Sequence, residues 1–372
     1  MNIVADENLA LTDYFFAEFG KIRHVPGRHL QQQDLEDADA EVLLVRSVTQ
    51  VNAELIANTA LSFVGSATIG TDHLDQHALA AAQIDWANAP GCNAQAVAEY
   101  VVTAILTLKA SLFLDADPTT GMTKNHSSES VQPFCLGIVG LGNVGSRLAK
   151  LAQHLGWQVL AYDPYVDDAE ISQHDLASVL QHADAVSIHV PLTRSGADAT
   201  WHLFNAETLA QMKPEAILIN AARGAVVEEA ALIADIQRTG RDVVLDVFEH
   251  EPVISAQLLD LVKLATPHIA GYSLEGKARG TQMLYDAFCA TLGMPATKDF
   301  RTQLPEAASY FDTRPMLQVL GQHLKQIYDI QKDDAELRAC LKQGVVDQAA
   351  FDALRKHYPL RREWAAHGAP QQ

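Results

Sequence analysis

Phe134-Cys-Leu-Gly-Ile-Val-Gly-Leu-Gly-Asn-Val-Gly-Ser-Arg-Leu-Ala-Lys150 is an apolar run broken by three glycines that resumes at helical spacing. The pattern predicts strand, tight turn and helix. Gly140, Gly142 and Gly145 fit G-x-G-x-x-G, in which the first glycine allows the turn, the second lets backbone approach a pyrophosphate and the third lets helix pack on strand. Asn143 and Val144 lie inside this turn, where unpaired N–H groups at a helix N-terminus suit phosphate. The flanks agree with this reading. Leu136, Ile138 and Val139 make a short buried strand, Val144, Leu148, Leu151 and Leu155 a helical stripe, and Trp157 to Tyr162 a second strand ending at Asp163. An acid about twenty residues beyond the glycines accepts both ribose hydroxyls of NAD, and Asp163 to Asp168 holds no Arg or Lys to accommodate a 2′-phosphate. NAD is therefore the expected cofactor.

Strand-like runs recur outward from this turn. Ile3–Ala5, Glu41–Val45 and Phe63–Val64 precede it, and Ala185–Val190, Ala216–Asn220 and Asp242–Asp246 follow, alternating with helical patterns. The period is that of α/β sheets, whose ligands gather beyond the carboxyl ends of the strands. Arg46, Ser47 and Thr68 fall at such ends in the first third of the chain, where capping is as good an account of the two hydroxyls as binding. Asn93 to Lys109 reads as a long apolar helix, and Asp115 to Ser130 as a polar surface loop. In the tail, Leu317, Leu320, Leu324 and Ile327 form one helical stripe, and Phe351, Leu354 and Tyr358 a shorter one. Those faces need a partner surface; self-association is the expected one, with docking on the same chain as the other option.

Composition narrows the class. The chain has 372 residues, enough for two or three domains, and 48% hydrophobic with 20% charged residues is ordinary for a globular protein. Met1 to Glu7 lacks a basic stretch leading into a long apolar one, which predicts a cytoplasmic protein. A net charge of −19 argues against sequence-independent binding to nucleic acid or anionic membrane, so an anionic substrate needs a local cationic pocket. Cys92, Cys135, Cys289 and Cys340 are widely spaced, and His73 and His77 have no Glu between them in a zincin pattern, so no metal site is expected.

Arg223, Glu251 and His268 each follow a strand of the nucleotide-binding sheet, and their types suit hydride transfer from a hydroxy acid. A guanidinium grips the carboxylate beside the reacting carbon, an imidazole takes the hydroxyl proton, and a carboxylate on its other nitrogen sets the tautomer. Asn220-Ala-Ala-Arg-Gly224, Asp246-Val-Phe-x-x-Glu-Pro252 and Pro267-His268, in this order after the glycine turn, resemble the D-isomer-specific 2-hydroxyacid dehydrogenase family. The resemblance implies that Arg223, Glu251 and His268 are the catalytic set and that Asp246 contacts the nicotinamide carboxamide. It also implies that Asp163, Val190, Ala221, Ala222, Arg223 and Gly271 bind NAD, while Ser47, Thr68 and Tyr272 bind substrate. Where relatives carry threonine this chain has Val190, which leaves only backbone contact there.

Val45 to Thr49, Phe63 to His73, Ala89 to Ala94, His268 to Gly280 and Arg361-Arg-Glu-Trp364 narrow the resemblance to a branch of the family. That branch acts on a phosphorylated four-carbon hydroxy acid and ends in a dimerisation domain. The implied architecture is α/β: two doubly wound, Rossmann-like or flavodoxin-like parallel-sheet domains plus a mainly helical C-terminal dimerisation domain. The implied boundaries are 1–97 with 271–295 for substrate, 98–270 for NAD and 296–372 for dimerisation. Arg46, with Lys277 or Arg279, is the expected phosphate ligand, and Arg361 or Arg362 is a further one supplied by a partner subunit. Another hydroxyacid dehydrogenase, such as one acting on 3-phosphoglycerate, and a non-enzymatic NAD-sensing corepressor or scaffold share parts of this pattern.

Overall fold

The computed structural model describes residues 1–110, 133–166, 168 and 170–370, so the polar stretch 115–132 lies outside the described residues. The chain divides into two compact units, Met1–Asn93 with Ser273–Glu306, and Ala94–Tyr272 with Ala307–Gln372.

In the first unit β1 (Asn2–Asp6), β2 (Lys21–Val25), β3 (Val42–Val45), β4 (Phe63–Ser66) and β5 (Asp85–Asn88) form a parallel sheet in the order β2-β1-β3-β4-β5. Alternation sends Ile3, Ala5, Val42, Leu44 and Phe63 to one face. There they pack on Phe15 and Phe16 and on Ala278, Leu284, Tyr285 and Phe288 of the helix Leu274–Thr291. Val4, Leu43, Val45 and Val64 go to the other face, over Leu35, Leu55 and Leu79. The central strands are covered on both faces and so read as unbroken apolar runs. The sequence pattern missed β2 and β5, the two edge strands, because most of their residues stay in contact with solvent and are polar.

The second unit contains β6 (Cys135–Val139), β7 (Gln158–Tyr162), β8 (Ala185–Ile188), β9 (Ile217–Asn220), β10 (Val243–Leu245) and β11 (Leu264–Ala265). All are parallel, in the order β11-β10-β9-β8-β6-β7. The helices Ala94–Leu108 and Asn143–His154 cover one face through Val97, Val101, Ile105 and Leu148. The helices Leu176–His182, Glu229–Thr239 and Ala256–Leu261 cover the other.

The tail folds onto this same unit. Leu317, Leu320 and Ile327 of the helix Met316–Ile327 join the first layer, and Leu337 and Phe351, from the helices Ile330–Ala339 and Gln348–Lys356, join the second. Burial of each such side chain stabilises by about 1.5–3 kcal/mol. The tail also closes the edge of the sheet: Asp334 accepts from the Ala265 N–H of β11 at 2.8 Å, and Arg338 pairs with Asp334 while donating to the Leu259 and Val262 carbonyls. The apolar stripes read from the sequence are thus covered by their own chain.

Candidate active site

The glycine turn has a different steric need at each position. Gly140 has φ +100°, a conformation that side chains avoid. A Cβ on Gly145 would lie 1.9 Å from the Gly140 carbonyl oxygen, so helix and strand meet there only through glycine. A Cβ on Gly142 would meet no protein atom within 4 Å, although this residue caps the helix Asn143–His154. Space left bare at the N-terminus of a helix fits the pyrophosphate of NAD.

Asp163 follows β7 and holds this turn together. One carboxylate oxygen accepts from the Leu141 N–H at 2.7 Å, and the other from the Tyr165 and Val166 N–H groups at 2.9 and 3.1 Å. An ionised carboxylate has about four acceptor positions, so one remains for a ribose hydroxyl. Val190 follows β8 beside Gly140, and its Cγ1 is 3.0 Å from where a Gly140 Cβ would stand. His189, just before it, bonds Ser187 Oγ at 2.8 Å, and burial pushes its pKa down to about 3.

Beyond β9, the Asn220 side chain accepts from the Ala222 N–H at 3.1 Å and donates to the Arg223 carbonyl at 3.0 Å, which fixes Ala221, Ala222 and Arg223 in one turn. Gly224 lets this turn lie against the next loop, because a Cβ there would sit 1.9 Å from the Phe248 carbonyl oxygen. One Arg223 terminal nitrogen donates to the Ala222 carbonyl at 2.8 Å.

The loop after β11 carries His268 and is tied from two sides. Asp246, only 1% exposed, accepts from the Thr266 hydroxyl at 2.6 Å and from the Ile269 and Ala270 N–H groups at 2.8 and 2.9 Å. Burial raises its pKa, against the opposing field of His268. On the other side Arg361, from the tail, donates to the carbonyls of Ile269, Ala270 and Tyr272 and to the Tyr358 hydroxyl. Its guanidinium also lies over the Tyr328 ring at 4.4 Å. Arg361, one of the two tail arginines read from the sequence as phosphate ligands, thus commits its terminal nitrogens to its own chain.

Between these ties His268 adopts the left-handed backbone conformation, φ 57°, which costs a non-glycine residue energy and persists only where neighbours enforce it. Its Nδ1 meets Glu251 Oε1 at 2.9 Å. The carboxylate holds the proton on Nδ1 and leaves Nε2 as the nitrogen that exchanges one. Gly271 and Tyr272 continue the same loop, both half-buried.

In the first unit Ser47 is exposed in the turn after β3, and Thr68 is half-buried in the loop after β4. Thr68 belongs to a chain of hydroxyls: His73 Nε2 lies 2.7 Å from Ser66 Oγ, which lies 2.8 Å from Thr68 Oγ1, which donates to the Gly70 carbonyl. Burial lowers the pKa of His73, so it serves this chain as a neutral ring. His77 is exposed on the helix Gln76–Ala81, apart from this chain. Arg46 pairs through Nε with the fully buried Asp6 carboxylate at 3.0 Å. Arg279 donates to the Cys92 carbonyl and lies over the Phe300 ring at 5.5 Å.

Sequence reasoning passed over Arg355 in the helix Gln348–Lys356, whose Nη2 donates to the Tyr272 hydroxyl at 3.4 Å. No motif marks it, since its place follows from how the tail folds. Among the described residues no group of three or more His, Cys, Asp or Glu side chains is arranged to hold a metal ion, and no helix is long and apolar enough to cross a membrane.

Comparison with known proteins fits this geometry. Residues 114–270 match the NAD binding domain of D-isomer specific 2-hydroxyacid dehydrogenases, and residues 303–369 match a domain of unknown function, DUF3410. The chain is 62% identical over 371 residues to the erythronate-4-phosphate dehydrogenase of Acinetobacter baumannii, with both chains fully covered. It is 60% identical over 370 residues to that of Acinetobacter baylyi, covering 100% of this chain and 99% of the relative. The D-lactate dehydrogenase of Aquifex aeolicus, solved with NAD and lactic acid, shares the fold with a TM-score of 0.60 at 23% identity, over 78% of this chain and 96% of that one. The chain belongs to the D-isomer specific 2-hydroxyacid dehydrogenases and, within them, to the erythronate-4-phosphate dehydrogenases.

Proposed function

We propose that this NAD-dependent dehydrogenase oxidises 4-phospho-D-erythronate at C2 to 2-oxo-3-hydroxy-4-phosphobutanoate, a step toward pyridoxal 5′-phosphate. The observation that carries the mechanism is the 2.9 Å contact between His268 Nδ1 and Glu251, on a loop held by Asp246 in the sheet that bears the glycine turn. NAD supplies the hydride acceptor. His268 Nε2 takes the C2 hydroxyl proton as the C–H bond gives up its hydride, and the Glu251 carboxyl group on Nδ1 steadies the ring as it takes up that proton. Arg223 grips the substrate carboxylate and aligns C2. Arg46, Ser47, Thr68 and Tyr272 contact the rest of the substrate, while Asp163, Val190, Ala221, Ala222, Asp246 and Gly271 contact NAD. A homodimer and a cytoplasmic setting belong to this reading through the resemblance alone.

The test is absorbance of reduced nicotinamide when the protein meets 4-phospho-D-erythronate and NAD. His268→Asn is expected to lower kcat by about 10²–10⁴-fold, the usual worth of a positioned acid–base group, with NAD binding retained. Wild-type protein that reduces no NAD with this substrate overturns the function, and a variant with ordinary kcat overturns the role of His268.

A further inference from the structure

Arg355 differs from the other tail arginines that reach this sheet. Arg338 and Arg361 place their donors on backbone carbonyls, on Asp334 or on Tyr358. Among the described residues, one of the five N–H donors of Arg355 reaches a hydrogen-bond partner, the Tyr272 hydroxyl, while its buried Nε reaches none. A buried donor without a partner weakens a fold unless something else requires it. Its guanidinium lies 5.8 Å from the Phe351 ring centre, and the Tyr272 ring whose hydroxyl it touches packs edge to face on Tyr358. Burial works against its charge, but Tyr272, Glu251 and Asp246 more than offset this and raise its pKa, so the group is cationic at every working pH.

This cation belongs to the same unit as His268, and the hydroxyl it touches is four residues further along the His268 loop. A phosphorylated hydroxy acid is anionic at both ends, and Arg223 answers only one of them. Arg46, one of the cations read from the sequence for the far end, shares its charge with the Asp6 carboxylate.

We propose that Arg355 and the Tyr272 hydroxyl form an anion subsite that binds the phosphoryl group of the substrate. This rests on the function proposed above, in that the substrate carries a phosphate. Guanidinium and phenol donate to the phosphate oxygens, and the unspent Arg355 donors supply the planar fork that suits them. The tail thereby contributes to substrate choice as well as to packing.

Arg355→Met keeps the aliphatic stem and removes the charge. The expected result is a rise of about 30-fold in KM for 4-phospho-D-erythronate, the worth of one charged hydrogen bond, with KM for unphosphorylated erythronate unchanged. The Tm should hold or rise, because the unpartnered Nε is gone. In parallel, ³¹P line broadening of inorganic phosphate titrated with protein should weaken in the variant. Equal changes in KM for both substrates, or a phosphate titration the same as wild type, would overturn the subsite. So would a lower Tm with loss of kcat on both substrates. Failure of wild-type protein to oxidise any hydroxy acid would sink the function instead, and the phosphate titration would still decide the subsite.

Discussion

The two sheets have the same beginning and opposite chemistry at the same place. Numbered from its own first strand, one runs 2-1-3-4-5 and the other 2-1-3-4-5-6, so in each the order reverses beside the first strand, where open α/β sheets collect ligands. In the second unit that strand ends in Gly140–Gly145, and the space above Gly142 is bare. In the first unit it ends in Asp6, which is buried, accepts from the Asn8 N–H at 2.8 Å and pairs with Arg46 from the end of β3. Gly27, from the far side of β2, presses in so closely that a Cβ on it would lie 2.2 Å from Asp6 Oδ2. One reversal point is held open for a phosphate and the other is filled by an ion pair. Strand order says where to look, and the residue ending the first strand says what can bind.

The comparison can be broken by experiment. Arg46→Met strands the Asp6 carboxylate without its counter-ion, and should cost about 3 kcal/mol in urea unfolding, the lower end for breaking a buried pair because Arg46 keeps some solvent. Adding Asp6→Asn should recover part of this; an unchanged Cm in the single variant would mean the pair does not close that point. Gly145→Ala should cost about 1–3 kcal/mol through overpacking against the Gly140 carbonyl. Gly142→Ala should leave the Tm alone yet weaken NAD about tenfold by titration, or about 1.4 kcal/mol, since its methyl enters only cofactor space. Equal stability losses in the two glycine variants would erase the distinction drawn between them.

The smallest effect concerns pH. His189 binds a proton less readily folded, at about 3, than unfolded, near 6.5, so its contribution to stability is complete above about 6.5 and is lost as pH falls toward 3. Because the residue still meets some solvent, we expect about 1 kcal/mol between pH 7 and 5. His189→Gln should remove that share of the acid sensitivity in thermal melts.

The glycine turn was legible because its demands are local: a positive φ at Gly140 and a contact without room for Cβ at Gly145 each select one amino acid. Arg223, Glu251 and His268 were legible only as a set in order, since each has a bland reading taken singly. The commitments of acceptors were not legible. Asp163 and Asp246 read as cofactor contacts, and both carry most of their hydrogen bonds to backbone N–H groups, Asp163 in the glycine turn and its own loop and Asp246 in the His268 loop. Nor was the use of the tail. A stripe such as Leu317, Leu320 and Ile327 states that a helix needs cover without stating whose, so Arg361 on the His268 loop and Arg355 on Tyr272 emerge only when the chain is folded.

The apolar layer of the first unit joins residues far apart in the order of synthesis. Ile3, Ala5, Phe15 and Phe16 are made at the start, whereas Ala278, Leu284, Tyr285, Phe288 and Phe300, which cover them, leave the ribosome only after the whole glycine-turn sheet. A growing chain thus carries this face of its first sheet, covered only by its own Phe15 and Phe16, through about 180 further residues, at roughly 5–20 residues per second. For that interval the speed of translation sets how long the apolar face waits for the rest of its cover.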